Sequence, residues 1–163
     1  LFYFYSKMKN AILFAFSTAS SAATIPVTLK TVEEELKVEK SVASFSVPLG
    51  ATINMDGTAI MQGVATIFIA NAYGINLEIS DFISVIMVAT LASIGTAGVP
   101  GVGLIMLAMV LNQVGLPSEG IALIIGIDRL LDMTRTAVNV TGDATISCVV
   151  ASSEKKINYN YKE

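Results

Sequence analysis

Residues 128–143 read DRLLDMTRTAVNVTGD and lie between two stretches without charge, 120–127 and 144–151. If this segment forms a helix, its polar residues recur at spacings of three and four, which places them on one face. The residues of this polar stripe are Asp128, Asp132, Arg135, Thr136, Asn139 and Asp143. The pattern fits either a soluble amphipathic helix with one hydrated face or a membrane-spanning helix whose buried stripe binds a charged ligand.

The composition of the chain favours the membrane alternative. Of its 163 residues 53% are hydrophobic and 14% are charged, whereas about 25% of the residues of a soluble domain are charged. Residues 42–127 contain four charges, Asp56, Glu78, Asp81 and Glu119, and no Lys or Arg. A water-soluble surface of that length cannot be built from so few charges. We therefore predict an integral membrane protein, and without a basic patch nucleic acid is not an expected partner.

Two segments have the pattern of a re-entrant helical hairpin, which enters the membrane and leaves on the same side. In each, two apolar arms of about a dozen residues flank a run of small residues, whereas a complete span needs about 20 residues. The small-residue runs are 17–24, closed by Ile25 and Pro26, and 92–103. Backbone exposed at such a tip must be buried in protein or line a cavity. A Ser/Ala-rich packing face is the alternative for the first run.

A third apolar segment, 41–73, is long enough to cross the bilayer but has the sequence NMDGT at 54–58. Asn, Asp and Gly are poor helix formers, and an Asp at this depth costs about 2.5–3.5 kcal/mol. We predict a helix broken at Asn54-Met55-Asp56 whose free carbonyls and carboxylate hold a cation. Ligands that are all oxygen suit a hard cation such as sodium, magnesium or calcium. An Asp in a loop between soluble helices is the alternative.

The predicted fold is all-α and integral to the membrane, with two re-entrant hairpins and two transmembrane helices, the first of them broken, arranged as an inverted repeat. The predicted boundaries are 1–40 for the first hairpin, 41–73 for the broken helix, 81–115 for the second hairpin, 118–152 for the polar helix and 154–163 for a cytoplasmic tail. In this topology all the lysine-bearing segments fall on one side of the membrane. The positive-inside rule then places both ends of the chain in the cytoplasm.

The charges of the polar stripe predict an acidic amino acid as the ligand. Residues 128–143 carry five charges, those of the stripe and Arg129. Burying them at a few kcal/mol each implies a cost on the order of 10 kcal/mol, which Asp132 and Arg135 offset only in part. Arg135 offers a planar fork to a carboxylate, Asp132 accepts from an ammonium group, and Asn139 donates to a second carboxylate. Asp143, one turn further on, is a candidate cation ligand. An ion-pair network that only rigidifies the helix is the alternative.

The sequence resembles the dicarboxylate/amino acid:cation symporters, the glutamate transporter family, over nearly all of residues 7–154. The motifs that carry the resemblance are Asn54-Met55-Asp56-Gly57-Thr58, Ser93-Ile94-Gly95-Thr96-Ala97-Gly98-Val99-Pro100, and Asp132-Met133-Thr134-Arg135-Thr136 with Asn139 to Asp143. The match corresponds to the C-terminal half of the family, which makes 1–153 the C-terminal part of a transport domain. It implies symport of glutamate or aspartate with sodium by an elevator mechanism in the cell membrane. The family's six preceding helices lie outside this sequence and imply a scaffold and a homotrimer.

The resemblance also implies the residues that meet the substrate. These are Ser21, Thr58, Val99, Gly103, Asp132, Arg135, Thr136 and Asn139. Arg135, with Thr58 and the Gly103 amide, would bind the side-chain carboxylate of the substrate. Asp132 and the Val99 carbonyl would bind its ammonium group. Asn139 and Ser21 would hold its main-chain carboxylate. The second hairpin would act as the gate. Ala19 stands where some family members carry an Arg, which bears on affinity or coupling.

Three sodium sites follow from the same resemblance. The first would use Gly50, Asn54, Asn139 and Asp143, the second Thr52, Ser93, Ile94 and Thr96, and the third Asn54 and Asp56 with groups from an earlier helix. Main-chain carbonyls would supply most of these ligands. Coupling to protons instead of sodium stays open, because carboxylates can serve either ion.

Several alternatives remain at this stage. A neutral amino acid would leave Arg135 without a partner, and a C4-dicarboxylate would do the same to Asp132. A soluble dinucleotide-binding enzyme fragment needs G-x-G-x-x-G, which the glycines of 95–103 do not form, and Pro100 lies inside that loop. An inert membrane fragment would bind no amino acid. The sequence does not separate glutamate from aspartate.

Overall fold

The computed structural model describes residues 1–157, which are helical apart from turns and one isolated bridge between Val38 and Ile157. The helices are α1 (Phe2–Thr18), α2 (Ser21–Lys30), α3 (Lys40–Ile53), α4 (Asp56–Ala72), α5 (Ile79–Ile94), α6 (Val102–Gln113) and α7 (Asp128–Ser153), with a π-helical turn at Thr31–Glu35 and a 3₁₀ helix at Ser118–Leu123. The prediction of an all-α fold is confirmed. Of the predicted tail, residues 158–163 lie outside the described range.

No helix within residues 1–157 combines the length and the apolar character needed to cross a membrane.

The first hairpin, α1 and α2, has a shorter tip than the sequence suggested. Ala19 ends α1 in the left-handed conformation, with φ 51°. Ser20 then starts α2 as its N-cap, because its side chain accepts a hydrogen bond from the Ala23 N–H at 3.1 Å. Pro26, predicted to close the small-residue run, lies inside α2 instead. A proline within a helix removes one hydrogen bond, and here the helix continues through it.

The second hairpin, α5 and α6, has a longer tip formed by residues 95–101. A capping box fixes the start of α5, where the Glu78 N–H donates to the Asp81 carboxylate at 2.8 Å. The tip ends at Gly101, whose φ of 84° is a conformation that glycine adopts readily and other residues avoid. The irregular residues of this hairpin therefore lie within the small-residue run 92–103, whose ends belong to α5 and α6.

Two non-helical residues, Asn54 and Met55, separate α3 from α4. Asp56, which the sequence placed in the break, is the first residue of α4, where a carboxylate is favoured by the helix dipole. A second difference concerns the polar helix, which begins at Asp128 rather than at 118. The preceding segment contains Gly120 and Gly126, and glycine disfavours an α-helix.

Two apolar clusters form the core, and α7 takes part in both. The first consists of Met8, Ala11, Ala15, Val32, Leu36, Val38, Val42, Ala43, Val47, Val140, Ala144 and Ala151. The second consists of Met61, Ala65, Ile69, Ala70, Leu107, Leu111, Leu116 and Ile124, and Leu131 of α7 packs against it. The polar stripe from Asp132 to Asn139 therefore lies between Leu131, which packs against the second cluster, and Val140, which belongs to the first.

Replacing Leu107 by Ala should destabilise the fold by on the order of 2–5 kcal/mol, because this side chain is fully buried and its loss leaves a cavity. The measurement is thermal unfolding of the protein in detergent. Leu91→Ala is the matched control, since Leu91 is 67% exposed. Equal shifts in the two variants would show that the second cluster does not hold the helices together.

Candidate substrate and cation site

The eight residues predicted to bind the substrate line one small cavity. Its walls come from both hairpin tips, the break between α3 and α4, and α7. The lining residues are Ala19, Ser21, Met55, Thr58, Thr96, Ala97, Gly98, Val99, Gly103, Asp132, Arg135, Thr136 and Asn139. The volume open to the centre of a water-sized sphere is about 10 Å³, room for about one water molecule. Folding thus brings together side chains from four separate stretches of sequence.

Asp132 and Arg135 carry the charge of this cavity and are 4% and 5% exposed. The Arg135 Nε and Nη2 atoms lie 3.0 and 2.8 Å from Asp132 Oδ1. Long side chains on a helix point back toward its N-terminus, which directs Arg135 onto Asp132. Asp132 Oδ2 accepts from the Gly101 N–H at 2.8 Å. One carboxylate therefore holds both the guanidinium and the tip of the second hairpin.

Two glycines allow neighbouring helices to approach Arg135. A Cβ atom at Gly103 of α6 would overlap the guanidinium group, and one at Gly57 of α4 would overlap the Arg135 main chain. A larger residue at Gly57 would push α4 away from α7, whereas one at Gly103 would displace the guanidinium group. The glycines therefore set how closely the protein encloses the arginine.

Asn139 connects α7 to the start of α4. Its Oδ1 accepts from the Gly57 N–H at 2.7 Å, and its Nδ2 lies 3.3 Å from Thr58 Oγ1 and 3.2 Å from Met55 Sδ. The first N–H groups of a helix have no partner within that helix. Asn139 satisfies one of them from outside the helix, so this polar side chain is paired although it is buried.

Three other residues predicted to bind the substrate also line the cavity. Ser21 is the first residue of α2 and is buried, and Thr136 Oγ1 donates to the Asp132 carbonyl at 2.8 Å. Val99 lies in the second tip with its side chain 47% exposed. Its carbonyl, rather than its side chain, is the group that the resemblance assigned to the substrate.

Sequence reasoning missed the contact that joins the two hairpin tips. Ser20 Oγ donates to the Gly98 carbonyl at 2.8 Å, and the Ala22 N–H donates to the same carbonyl at 3.2 Å. A serine before a helix is a recognisable N-cap signal, but that signal does not identify a partner in another hairpin. The tips therefore meet directly over the cavity.

The four residues predicted for the first cation site lie together. Asn54 Nδ2 is 3.0 Å from Asp143 Oδ1 and 3.4 Å from the Asn139 carbonyl. A Cβ atom at Gly50 would lie 2.5 Å from Asp143 Oδ1, so the α3 backbone is close to this carboxylate. Asp143 is 2% exposed. A buried carboxylate beside main-chain carbonyls is a suitable donor set for a hard cation.

The residues predicted for the second cation site are partly exposed. Ser93 and Thr96 are buried, with the Thr96 N–H donating to the Ser93 carbonyl at 3.0 Å, whereas the Thr52 and Ile94 side chains are exposed. The predicted ligands here are carbonyl oxygens, so side-chain exposure does not decide their availability. Thr52 Oγ1 itself donates to the Pro48 carbonyl at 3.0 Å.

Asn54 and Asp56, predicted for the third cation site, both approach Gly142. A Cβ atom there would lie 2.6 Å from Asn54 Nδ2 and 2.8 Å from Asp56 Oδ2. Asp56 is exposed. Within residues 1–157 no group of three or more Cys, Asp or Glu residues lies close enough together to hold a metal ion.

Known proteins match this chain over most of its length. The sequence model of the sodium:dicarboxylate symporter family matches residues 1–153. The chain is 48% identical over 149 residues to excitatory amino acid transporter 3 of Mus musculus, a match that covers 91% of this chain and 28% of that protein. It is 48% identical to excitatory amino acid transporter 2 of Homo sapiens over 143 residues, or 88% and 25% of the two chains. For an excitatory amino acid transporter of Caenorhabditis elegans the identity is 46% over 154 residues, or 88% and 31%.

The matched residues 1–153 include every residue that lines the cavity. The chain belongs to the sodium:dicarboxylate symporter family, which confirms the predicted resemblance and excludes the dinucleotide-binding alternative. The chain spans between 25% and 31% of the length of the relatives named above.

Gly57→Ala and Gly63→Ala, both in α4, should have opposite effects on stability. The added Cβ at Gly57 overlaps the Arg135 main chain, whereas nothing lies within 4 Å of one at Gly63. We expect Gly57→Ala to lower the unfolding temperature. Gly63→Ala should raise it slightly, because alanine in a helix increases the free energy of unfolding by about 0.5–1 kcal/mol relative to glycine. Thermal unfolding in detergent measures both. A tolerated Gly57→Ala would contradict the close contact between α4 and α7.

Proposed function

We propose that this chain is the substrate- and cation-binding half of a transporter that moves an acidic amino acid together with sodium. The observation that carries the proposal is the small cavity in which Arg135 and Asp132, both buried, meet polar groups from two hairpin tips and a helix break. Buried charges are costly unless they are paired. An Arg and an Asp directed into the same cavity fit a ligand that carries both kinds of charge.

An acidic amino acid matches this cavity better than the other ligand classes. Its side-chain carboxylate would bind the guanidinium group of Arg135, which in this structure contacts Asp132 Oδ1. Its ammonium group would bind the Asp132 carboxylate, and its main-chain carboxylate would bind Asn139 and Ser21. A neutral amino acid leaves Arg135 without that carboxylate, and a C4-dicarboxylate leaves Asp132 without the ammonium. Each mismatch leaves a buried charge unpaired, which is strongly unfavourable.

Sodium is the proposed coupling ion because of the group around Asp143. Asn54 Nδ2 lies within hydrogen-bonding range of both Asp143 Oδ1 and the Asn139 carbonyl, and Gly50 lies beside Asp143. The Asn139 side chain meanwhile reaches Thr58 in the substrate cavity. One residue thus touches both proposed sites, so a cation at Asp143 would stiffen a group that binds the substrate.

The tip of the second hairpin is the proposed gate. A cavity with room for about one water molecule does not admit an amino acid, so some part of its wall has to move. Residues 95–101 are the irregular wall segment, and they are held by Ser20 and Asp132 through hydrogen bonds from two sides. Moving this tip opens the cavity without unfolding a helix.

A membrane location and an elevator mechanism complete the proposal. Large apolar side chains such as Phe45, Phe68 and Leu91 are 69%, 52% and 67% exposed, and such a surface favours lipid or other helices. We propose two re-entrant hairpins and two transmembrane segments, α3 with α4 and α7, with both chain ends in the cytoplasm. The unit would move against scaffold helices of a homotrimer that lie outside this sequence.

Labelled L-aspartate should bind the detergent-purified chain in sodium and not when potassium replaces sodium. Neither malate nor serine should displace it, because each lacks one of the charges that the cavity pairs. Displacement by serine would contradict the role of Arg135, and displacement by malate would contradict that of Asp132. Arg135→Ala should weaken binding by about 30-fold or more, whereas Arg129→Ala, at an exposed position, should leave it unchanged.

Asp143→Asn should raise the sodium concentration needed for half-maximal L-aspartate binding by at least about tenfold. Loss even of an outer partner of a metal ligand costs about 10–100-fold in affinity, and Asp143 is proposed as a direct ligand. The measurement is L-aspartate binding across a sodium titration. Glu119→Gln removes an exposed carboxylate and is the matched control. Unchanged sodium dependence, with binding that instead follows pH, would support proton coupling.

A further inference from the structure

An open groove between α3 and α7 is lined mainly by apolar side chains that take no part in the proposed substrate and cation sites. Phe45, Leu49 and Ile53 of α3 line it together with Ile146 and Val150 of α7. All five side chains are exposed. The groove offers about 330 Å³ to the centres of water-sized spheres. A continuous exposed apolar surface of this kind marks a place where lipid or protein binds.

The two helices run antiparallel along the groove, so its two ends differ in character. Ser46 Oγ lies 2.7 Å from Ser147 Oγ, and a Cβ atom at Gly50 would lie 2.5 Å from Asp143 Oδ1. The inner end of the groove is therefore at Asp143, in the proposed first cation site. The outer end is at Ser41, near the start of α3 and the segment that follows α7.

The outer end of the groove carries an excess of positive charge. Lys156 Nζ donates to Ser41 Oγ at 3.2 Å and lies 3.7 Å from Glu39 Oε1. The Glu39 N–H also donates to the Lys156 carbonyl at 2.9 Å, which joins segments 37–41 and 154–157. These two segments contain four lysines and two glutamates. Lysine side chains therefore lie where the apolar lining of the groove ends.

The length of the apolar lining matches one leaflet of a bilayer. From Val42 to Ile53, α3 rises by about 17 Å at 1.5 Å per residue. The hydrocarbon core of a bilayer is about 30 Å thick, so one leaflet contributes about 15 Å. In the proposed topology the lysine-bearing end faces the cytoplasm, and the cytoplasmic leaflet is the one that carries anionic lipids.

We infer that this groove binds one acyl chain of an anionic phospholipid, whose phosphate group pairs with the lysines at the outer end. The apolar lining accommodates the acyl chain, and lysine binds phosphate as a point charge. A zwitterionic phospholipid brings its own positive charge to the level of the lysines, and a helix packed there would need acidic side chains at that level. The inference rests on the proposed membrane location and is independent of the proposed substrate.

The first test uses tryptophan fluorescence, because the chain contains no tryptophan. Phe45→Trp places a reporter in the groove, and Val64→Trp is the matched control on α4, since the two side chains are 69% and 63% exposed. The full chain is reconstituted in vesicles of phosphatidylglycerol and phosphatidylcholine, with quenching bromine atoms on the acyl chains of one lipid or the other. Quenching of the Phe45→Trp reporter should show a preference for phosphatidylglycerol of about fivefold or more.

The control reporter decides what a different result means. Val64→Trp should be quenched equally by the two lipids, because α4 contains no Lys or Arg. Equal quenching by the two lipids at Phe45→Trp overturns the inference. Quenching of Val64→Trp without quenching of Phe45→Trp also overturns it, because a protein surface then fills the groove.

The second test changes the charge at the outer end in the Phe45→Trp chain. Lys156→Ala should lower the preference for phosphatidylglycerol about fivefold, whereas Lys156→Arg should keep it. Glu39→Gln should raise the preference, because it removes the carboxylate that competes for Lys156. Lys9→Ala is the matched control, since no described residue of α1 lines the groove, and should leave the preference unchanged. Equal effects of Lys156→Ala and Lys9→Ala overturn the inference.

The reporters also separate this inference from the proposed function. If neither reporter is quenched by either lipid, the proposed membrane location is wrong and the lipid site is wrong with it. If the lipid preference is present but the chain binds no L-aspartate in sodium, the lipid site stands and the proposed substrate is wrong. If L-aspartate binds and Phe45→Trp shows no lipid preference, the proposed function stands and the lipid site is wrong.

Discussion

A positive charge buried on α7 is the constraint on which the arrangement of this protein depends. Arg135 is 5% exposed, and an unpaired charge at such a position is strongly destabilising. Asp132 pairs with it along the same helix, and Asp128 lies beyond. Because three charges on one helix face cannot pack against an apolar surface, the neighbouring elements present backbone groups, hydroxyls and amides to this stretch instead.

Backbone at the hairpin tips and at the helix break is what meets these charges. The first N–H groups of a helix and the residues of an irregular tip carry unpaired polar groups. Here they find partners within the site: Gly101 donates to Asp132, Gly57 donates to Asn139, and the carbonyl of Gly98 accepts from Ser20. Backbone groups at the helix interruptions thus pair with the charged and polar side chains of α7.

In the proposed transporter these hydrogen bonds link substrate binding to movement of the gate. Asp132 holds the tip of the second hairpin through Gly101 and holds the fork of Arg135 with its other oxygen. A ligand that draws on Asp132 therefore acts at once on the gate and on the arginine. Asn139 similarly reaches Thr58 with its side chain and Asn54 with its carbonyl, which places the substrate and cation sites on one residue.

The helical class, the apolar surroundings, the interruption near Asn54 and the stripe on α7 could be predicted from the sequence, because each follows from local propensity or from periodicity along one segment. Which partners meet depends on packing between distant segments. Ser20 and Gly98 are 78 positions apart, and nothing local in a serine, alanine or glycine run specifies the other tip. The short first tip, the start of α7 at Asp128 and the orientation of that carboxylate toward Arg135 likewise depend on caps and packing between distant segments, which a linear pattern does not encode.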